Sequence, residues 1–281
     1  MSKSLDDRVA PAPINRPAEV PDLTPLKLTA TDAEASRPCG GGVARLRIQR
    51  VLLVLPALNE AGKIGRTIRK VPPGVVDDIL VVDDFSTDGT GDESAALGAL
   101  VIRHERNLGV GAAIRTGIHY AAAHDYDVVV VAASDDQDVP TEISRLLEPI
   151  DQGRAEFVQG SRYLRGGRRV RHPLSRTIMT WGYSVIFTVL ALRRVTDGTN
   201  GFRAFRTQTA MDLPLDQEWL NRYELEPYLY WRCLQRGVAI EVPVTKEYPA
   251  ERTVGYTKMR PVRDWWRIFR PLLLLRLGLR H

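Results

Sequence analysis

Residues 51 to 90, VLLVLPALNEAGKIGRTIRKVPPGVVDDILVVDDFSTDGT, hold two apolar strands that each run directly into acids and turn-forming residues. Val51 to Leu55 is continuously apolar, the pattern of a strand buried on both faces, and Pro56-Ala57-Leu58-Asn59-Glu60 sets polar groups where it leaves the sheet. Ile79 to Val82 repeats the plan and ends in Asp83-Asp84. Strands of this kind belong to an α/β architecture in which helices cover a parallel sheet. In open α/β sheets ligands sit beyond the carboxyl ends of strands, so acids arriving there twice suit a ribose or a base. Asp is also a common helix cap, and two ordinary strand-to-helix turns remain open on this segment alone.

The rest of the chain continues the alternation. Strands are expected near 100 to 104, 127 to 132 and 156 to 159, with helices between them. With 281 residues and 44% hydrophobic content, one sizeable core and a single catalytic domain are expected. Residues 1 to 48 differ: APAPINRPAEVP and CGGG carry no periodicity and read as a flexible tail, leaving a domain over 49 to 258 and a basic amphipathic segment over 259 to 281. MSKSLDDRV lacks the apolar run of a secretory signal, so the expectation is a cytoplasmic protein. Two cysteines, Cys39 and Cys233, argue against a disulfide framework or a cysteine metal site. Gly109-Val110-Gly111 is followed by Ile114 where a dinucleotide fingerprint needs a third glycine, and no GxxxxGK[ST] occurs. A net charge of +5 is a small excess, and the arginine-rich block lacks interleaved stacking aromatics, so no nucleic acid partner is expected.

Val128 to Ala133 is the clearest buried strand, and it runs into Ser134-Asp135-Asp136-Gln137-Asp138-Val139-Pro140. An acidic cap before a helix near Pro140 is one reading of that cluster. Next, GSRYLRGGRRVRHPLSRTIMTWG at 160 to 182 carries six arginines and no acid, which suits an anion. Arg165, Arg168, Arg169 and Arg171 read individually as a solvated basic loop. The sixteen residues Thr177 to Leu192 are mostly apolar, uncharged and too short to span a bilayer. That stretch and KMRPVRDWWRIFRPLLLLRLGLRH each suit either core packing or the membrane interface.

PALNE followed by VVDDFSTDGT resembles the nucleotide-sugar-binding half of the family 2 glycosyltransferases, which have the GT-A fold. ERNLGVGAAIRTGI at 105 to 118 is similar to the family's third strand-to-helix passage, and QGSRY at 159 to 163 and VTDGTNGFRAFR at 195 to 206 resemble the dolichol- and polyprenyl-phosphate mannose (or glucose) synthases. The likeness spans about residues 49 to 260, and five motifs in order carry it. It implies a Rossmann-like, mostly parallel sheet flanked by helices, with a C-terminal amphipathic helical extension. It further implies an inverting, metal-dependent hexosyl transfer from a UDP- or GDP-sugar to a polyprenyl or dolichyl phosphate, on an enzyme peripheral to the inner face of the membrane.

Residue by residue, the resemblance assigns the donor nucleotide to Pro56, Leu58, Asn59, Glu60, Asp83, Asp84, Asp135 and Asp136, and magnesium or manganese to Asp135 and Gln137. Ala133 stands where the family commonly has a first Asp, and Asp136 or Asp138 would compensate. Arg162, Arg176 and Lys258 match positions that approach the acceptor phosphate; with Asp135 and Arg203 the two arginines form the catalytic set. Asp197 and Thr199 would orient a sugar hydroxyl, while Gly201 would allow close approach. Glu224 and Glu226 lie two apart, so at most one should face the site. A phosphate acceptor is already anionic and needs no strong base. A saccharide or small-molecule hydroxyl acceptor would need one, from Glu224, Glu226 or Asp197; a nucleotide-binding relative without turnover is the other alternative, raised by Ala133.

Overall fold

The structure, a computed structural model, describes residues 47–248 and 263–279. The first half alternates β1 Val51–Ala57, α1 Ile64–Arg69, β2 Asp78–Asp83, α2 Thr90–Ala96, β3 Leu100–Arg103, α3 Val110–Ala123, β4 Val128–Val131 and α4 Ile143–Asp151. The second half runs β5 Phe157–Ser161, β6 Arg168–Val170, α5 Leu174–Ala191, β7 Arg203–Arg206, α6 Thr207–Met211, α7 Leu225–Gln235, β8 Ala239–Pro243, β9 Thr245–Glu247 and α8 Arg263–Arg276.

Seven strands form one sheet in the order β3-β2-β1-β4-β7-β5-β8, and only β7 runs against its neighbours. β6 and β9 pair in parallel as a separate two-stranded sheet. The register Leu53↔Ile79 and Leu53↔Val130 aligns the carboxyl ends of β1, β2 and β4 on one edge of the sheet.

Two cores follow from the period of two along each strand. Leu52, Val54, Leu80, Val82, Val129 and Val131 pack on one face with Ile114 and Ile118 of α3, Tyr183 and Phe187 of α5, Leu229 of α7 and Leu272 of α8. Leu53, Leu55, Val81, Val128 and Val130 pack on the other with Ile64 of α1 and Ile143 and Leu146 of α4. Each such buried side chain contributes about 1.5 to 3 kcal/mol, which fixes the register because a one-residue slip would exchange the faces.

The Thr177 to Leu192 stretch falls in α5 up to Ala191, with Leu192 ending the helix, and α5 is buried on one face only. Thr180, Tyr183, Ser184, Phe187 and Ala191 are inside, whereas Leu174, Ile178, Trp181, Val185, Val189 and Leu192 are exposed. Spacings of three and four residues place those six on one stripe. In α8, Ile268 and Leu272 enter the core while Trp266 and Leu273 stay exposed. No helix among the described residues is long and apolar enough to cross a membrane.

Candidate active site

A cleft of about 730 Å³ opens where β1 and β4 end, closed in by the amino-terminal turn of α3, Arg176 near the start of α5, the segment before α7, and α8. Pro56, Leu58, Asn59 and Glu60 line it as expected of the first strand end. Asn59 adopts φ 51°, which Asn tolerates, and its Oδ1 accepts from the Thr87 amide at 2.8 Å while its own amide donates to Ser86 Oγ at 2.9 Å. The two loops are therefore tied together at the rim of the cleft. Glu60 is buried, and its carboxylate pairs with Lys63 at 2.8 Å.

The two acids ending β2 part company. Asp84 lines the cleft, but its Oδ1 accepts from Leu108 N and His104 Nδ1, both at 2.8 Å, and its Oδ2 from Gly109 N at 2.7 Å. It works as a clamp that holds the loop entering α3. Asp83 is fully buried and does not line the cleft: its Oδ1 accepts from Ser86 N at 2.7 Å and its Oδ2 lies 3.5 Å from Arg103 Nε. Asp83 thus holds its own turn through Oδ1.

Glycine makes the α3 end of the cleft. A Cβ on Gly111 would fall 2.1 Å from the Leu220 carbonyl oxygen, and one on Gly109, at φ 109°, would fall 2.4 Å from that of Asn221. Only glycine lets the helix start press against residues 220 to 222. That contact carries Arg222 and Tyr223 to the cleft wall.

After β4, the acid cluster divides by backbone conformation. Asp136 takes φ 65°, turning away from the cleft to meet Arg66 at 2.8 Å and Lys70 at 2.6 Å. It is an anchor to α1 and is not among the residues that line the cleft, where the resemblance had placed it. Asp138 is buried, accepting from Ala133 N at 2.8 Å and from Lys246 Nζ at 2.9 Å, so it braces the turn and does not compensate for Ala133 as a ligand. Although burial works against the charge on Lys246, Asp138 and Asp135 hold its ammonium above the ordinary lysine value.

Asp135 and Gln137 do line the cleft. Gln137 Nε2 donates to Asp135 Oδ2 at 2.5 Å, which fixes the amide orientation and leaves its buried Oε1 without a hydrogen-bond partner. Burial pushes the Asp135 carboxyl above its ordinary value; Lys246 opposes this, while Asp138 and Glu60 add to it. An orphaned amide oxygen beside a carboxylate that suffers from burial is a fit for a hard divalent cation, to which a diphosphate and water would supply the remaining oxygens. No group of three His, Cys, Asp or Glu placed for a metal exists among the described residues.

The arginines also divide. Arg176 lines the cleft, its guanidinium 5.4 Å from the centre of the Tyr248 ring. Arg162 does not. It is buried, with Nε 2.6 Å and Nη2 2.7 Å from the two Asp197 oxygens, and Nη2 also donates to Thr199 Oγ1 at 2.7 Å. Arg162 and Asp197 satisfy each other, so neither the phosphate role of the first nor the sugar role of Asp197 and Thr199 matches their placement. Arg203 is likewise buried and donates to the carbonyls of Gly201 at 3.3 Å, Glu226 at 3.0 Å and Asn200 at 2.6 Å. Its Nη2 also meets Glu226 Oε1 at 3.0 Å, so Arg203 positions Glu226 instead of reaching a phosphate. Glu226 and Gly201 line the cleft; Glu224 instead pairs with Arg270 at 3.1 Å. Lys258 lies outside the described residues.

Residues that sequence reasoning did not single out complete the wall: Asn107, Arg222, Tyr223, Asp264 and Arg267. Asn107 lies in the NLG passage, and the motif could have nominated it; the others come from segments whose only signal is tertiary.

A profile of Glycosyl transferase family 2 matches residues 52–213. An undecaprenyl-phosphate mannosyltransferase of Micrococcus luteus is 33% identical over 217 residues, covering 75% of this chain and 87% of the relative. A polyprenol monophosphomannose synthase of Mycolicibacterium smegmatis is 33% identical over 221 residues, covering 75% and 81%. In fold, glucosyl-3-phosphoglycerate synthase of Mycobacterium tuberculosis, solved with Mn2+ and UDP-glucose, superposes with a TM-score of 0.62 at 24% identity over 83% of this chain and 80% of that one. The chain belongs to glycosyl transferase family 2, with a GT-A fold, and is a glycosyltransferase.

Proposed function

We propose that the protein moves a hexose from a UDP- or GDP-sugar to a polyprenyl phosphate, with inversion and with magnesium or manganese bound at Asp135 and Gln137. The observation that carries this reading is one cleft in which the orphaned Gln137 Oε1 and Asp135 share the walls with Arg176, Arg222 and Arg267. A cation site and three guanidiniums in one cleft suit a reaction between two phosphate-bearing molecules. The mannosyltransferase relatives named for polyprenyl-phosphate acceptors support the same acceptor.

Arg176 draws in the acceptor phosphate, and its charge keeps an unprotonated oxygen facing the sugar. That oxygen forms a bond to the anomeric carbon as the bond from this carbon to the donor diphosphate breaks, and the electron pair leaves with the nucleoside diphosphate. Arg222 and Arg267 hold the departing diphosphate, and a divalent cation, when bound, neutralises the charge it gains. Glu226, fixed by Arg203, accepts hydrogen bonds from sugar hydroxyls. No proton need be removed from the nucleophile, so positioning and electrostatics carry the catalysis.

Membrane proximity fits the exposed α5 stripe, which begins beside Arg176 and extends about 27 Å along the helix. We read this face as lying against the inner leaflet, where a lipid phosphate would enter the cleft. A second reading follows from Glu226 in the cleft, which would act as base toward a hydroxyl acceptor. Labelled UDP- and GDP-sugars incubated with polyprenyl phosphate or soluble saccharides separate the two. Label in the organic phase supports the lipid acceptor, whereas transfer to saccharides alone, lost in Glu226→Gln, would replace it.

A further inference from the structure

A second cavity, of about 450 Å³, lies at the far end of α5 from the cleft and is lined by Ala191, Leu192, Arg193, Trp231, Gln235, Leu275 and Arg276. It sits where the carboxyl-terminal ends of α5 and α8 meet α7. Arg193 and Arg276 are exposed, and their side chains make no hydrogen bond or ion pair with another described residue. Basic side chains at helix carboxyl ends ordinarily cap the last carbonyls. Here the Ala191 carbonyl accepts from Gln235 Nε2 at 2.8 Å, so α5 is capped without Arg193, and neither guanidinium is engaged by another described residue. No acid is among the described residues lining the cavity.

The surroundings suit a ligand that carries both a charge and apolar bulk. Val189 is 63% exposed, Leu192 70%, Leu277 68% and Leu279 63%; each lies within four residues of Arg193 or Arg276 along the chain, so the two charges that line the cavity come with an apolar collar of chain neighbours. Free phosphate in water offers nothing to that collar; a lipid offers both a charged headgroup and acyl chains.

We propose that this cavity binds the phosphodiester headgroup of an anionic phospholipid, with Arg193 and Arg276 holding the phosphate and the leucine collar entering the acyl layer. The inference rests on the membrane-facing reading of α5 and adds a second phosphate site to it, remote from the catalytic one. One helix then bridges an anchoring lipid at its carboxyl end and the acceptor entry at its amino end.

The test uses the full chain and sedimentation with vesicles of phosphatidylcholine alone or mixed with phosphatidylglycerol. Arg193→Gln with Arg276→Gln removes two charges from the cavity; Arg165→Gln with Arg168→Gln removes the same charge from exposed positions at and just before β6. The cavity pair is expected to weaken binding to the anionic vesicles about tenfold or more, with the β6 pair changing it much less. Transfer to a short-chain, water-soluble polyprenyl phosphate should be unchanged in both, which shows that the fold and the catalytic cleft are intact. Equal losses in the two pairs would overturn the site in favour of diffuse charge attraction. No preference of the wild type for anionic vesicles would also overturn it. If the wild type ignores all vesicles and light scattering returns a dimer, the apolar face belongs to a second copy, and both this site and the membrane reading fall while the transfer assay stands.

Discussion

Replacing Arg162 by alanine should unfold the protein more readily rather than blunt one contact to substrate. Both Asp197 oxygens receive guanidinium hydrogen bonds, at 2.6 and 2.7 Å, and both side chains are almost wholly shut off from solvent. Alanine leaves Asp197 buried with the Arg162 amide at 3.0 Å and the Thr199 hydroxyl at 3.3 Å but no opposite charge, and removing one member of a buried pair costs about 3 to 5 kcal/mol. Thr199 Oγ1 loses a donor as well. Urea denaturation followed by tryptophan fluorescence measures this directly. The paired change Arg162→Met with Asp197→Leu should recover most of the loss, because no charge is then left stranded. An Arg162→Ala protein with the wild-type midpoint and no transfer activity would refute the argument and return Arg162 to the acceptor phosphate.

Arg176→Ala should fold normally and lose transfer by about 1.5 to 3 kcal/mol, with hydrolysis of the donor by water less affected, as comparison of the two rates will show. Gln137→Met, which keeps the bulk and removes the orphaned oxygen, should weaken Mn2+ binding in the presence of UDP or GDP, measured by electron paramagnetic resonance. Gly111→Ala should weaken nucleotide binding in calorimetry, since its Cβ would meet the Leu220 carbonyl oxygen at 2.1 Å and push residues 220 to 222 off the helix. His172 is driven down to about 4 by burial, then by Arg162, with Arg176 and Arg169 also acting. The unfolded chain then takes up a proton near pH 6.5 that the folded one refuses. Stability from this group is complete above about pH 7 and is lost as pH falls from 6.5 to 4, on the order of 1 to 2 kcal/mol after solvent screening of a partly exposed ring. Denaturation of wild type and His172→Asn across that range should diverge in slope.

The strand ends were readable because two periods of hydrophobicity and a change of residue type mark them, and the structure puts Pro56, Leu58, Asn59, Glu60, Asp135 and Gln137 around one cleft. Roles were harder to read than places. Asp135 and Asp136 are neighbours of equal chemistry, yet φ 65° sends the second to Arg66 and Lys70. Arg162 and Arg203 sit in phosphate-binding motifs, but their partners Asp197 and Glu226 lie 35 and 23 residues away, and only the fold brings them together. Arg222 reaches the cleft through two glycines in a different segment, for which its own surroundings in the chain carry no signal.

In the proposed reaction a lipid phosphate oxygen is the nucleophile that attacks the donor sugar. Phosphorus-31 NMR of a reaction containing a short polyprenyl phosphate, a GDP- or UDP-hexose and Mg2+ tests it most directly. The phosphomonoester signal of the lipid should be replaced by a phosphodiester signal as free nucleoside diphosphate appears in equal amount, and Arg176→Ala should slow both. Nucleoside diphosphate released while the lipid remains a phosphomonoester, with the sugar recovered on a hydroxyl, would contradict it.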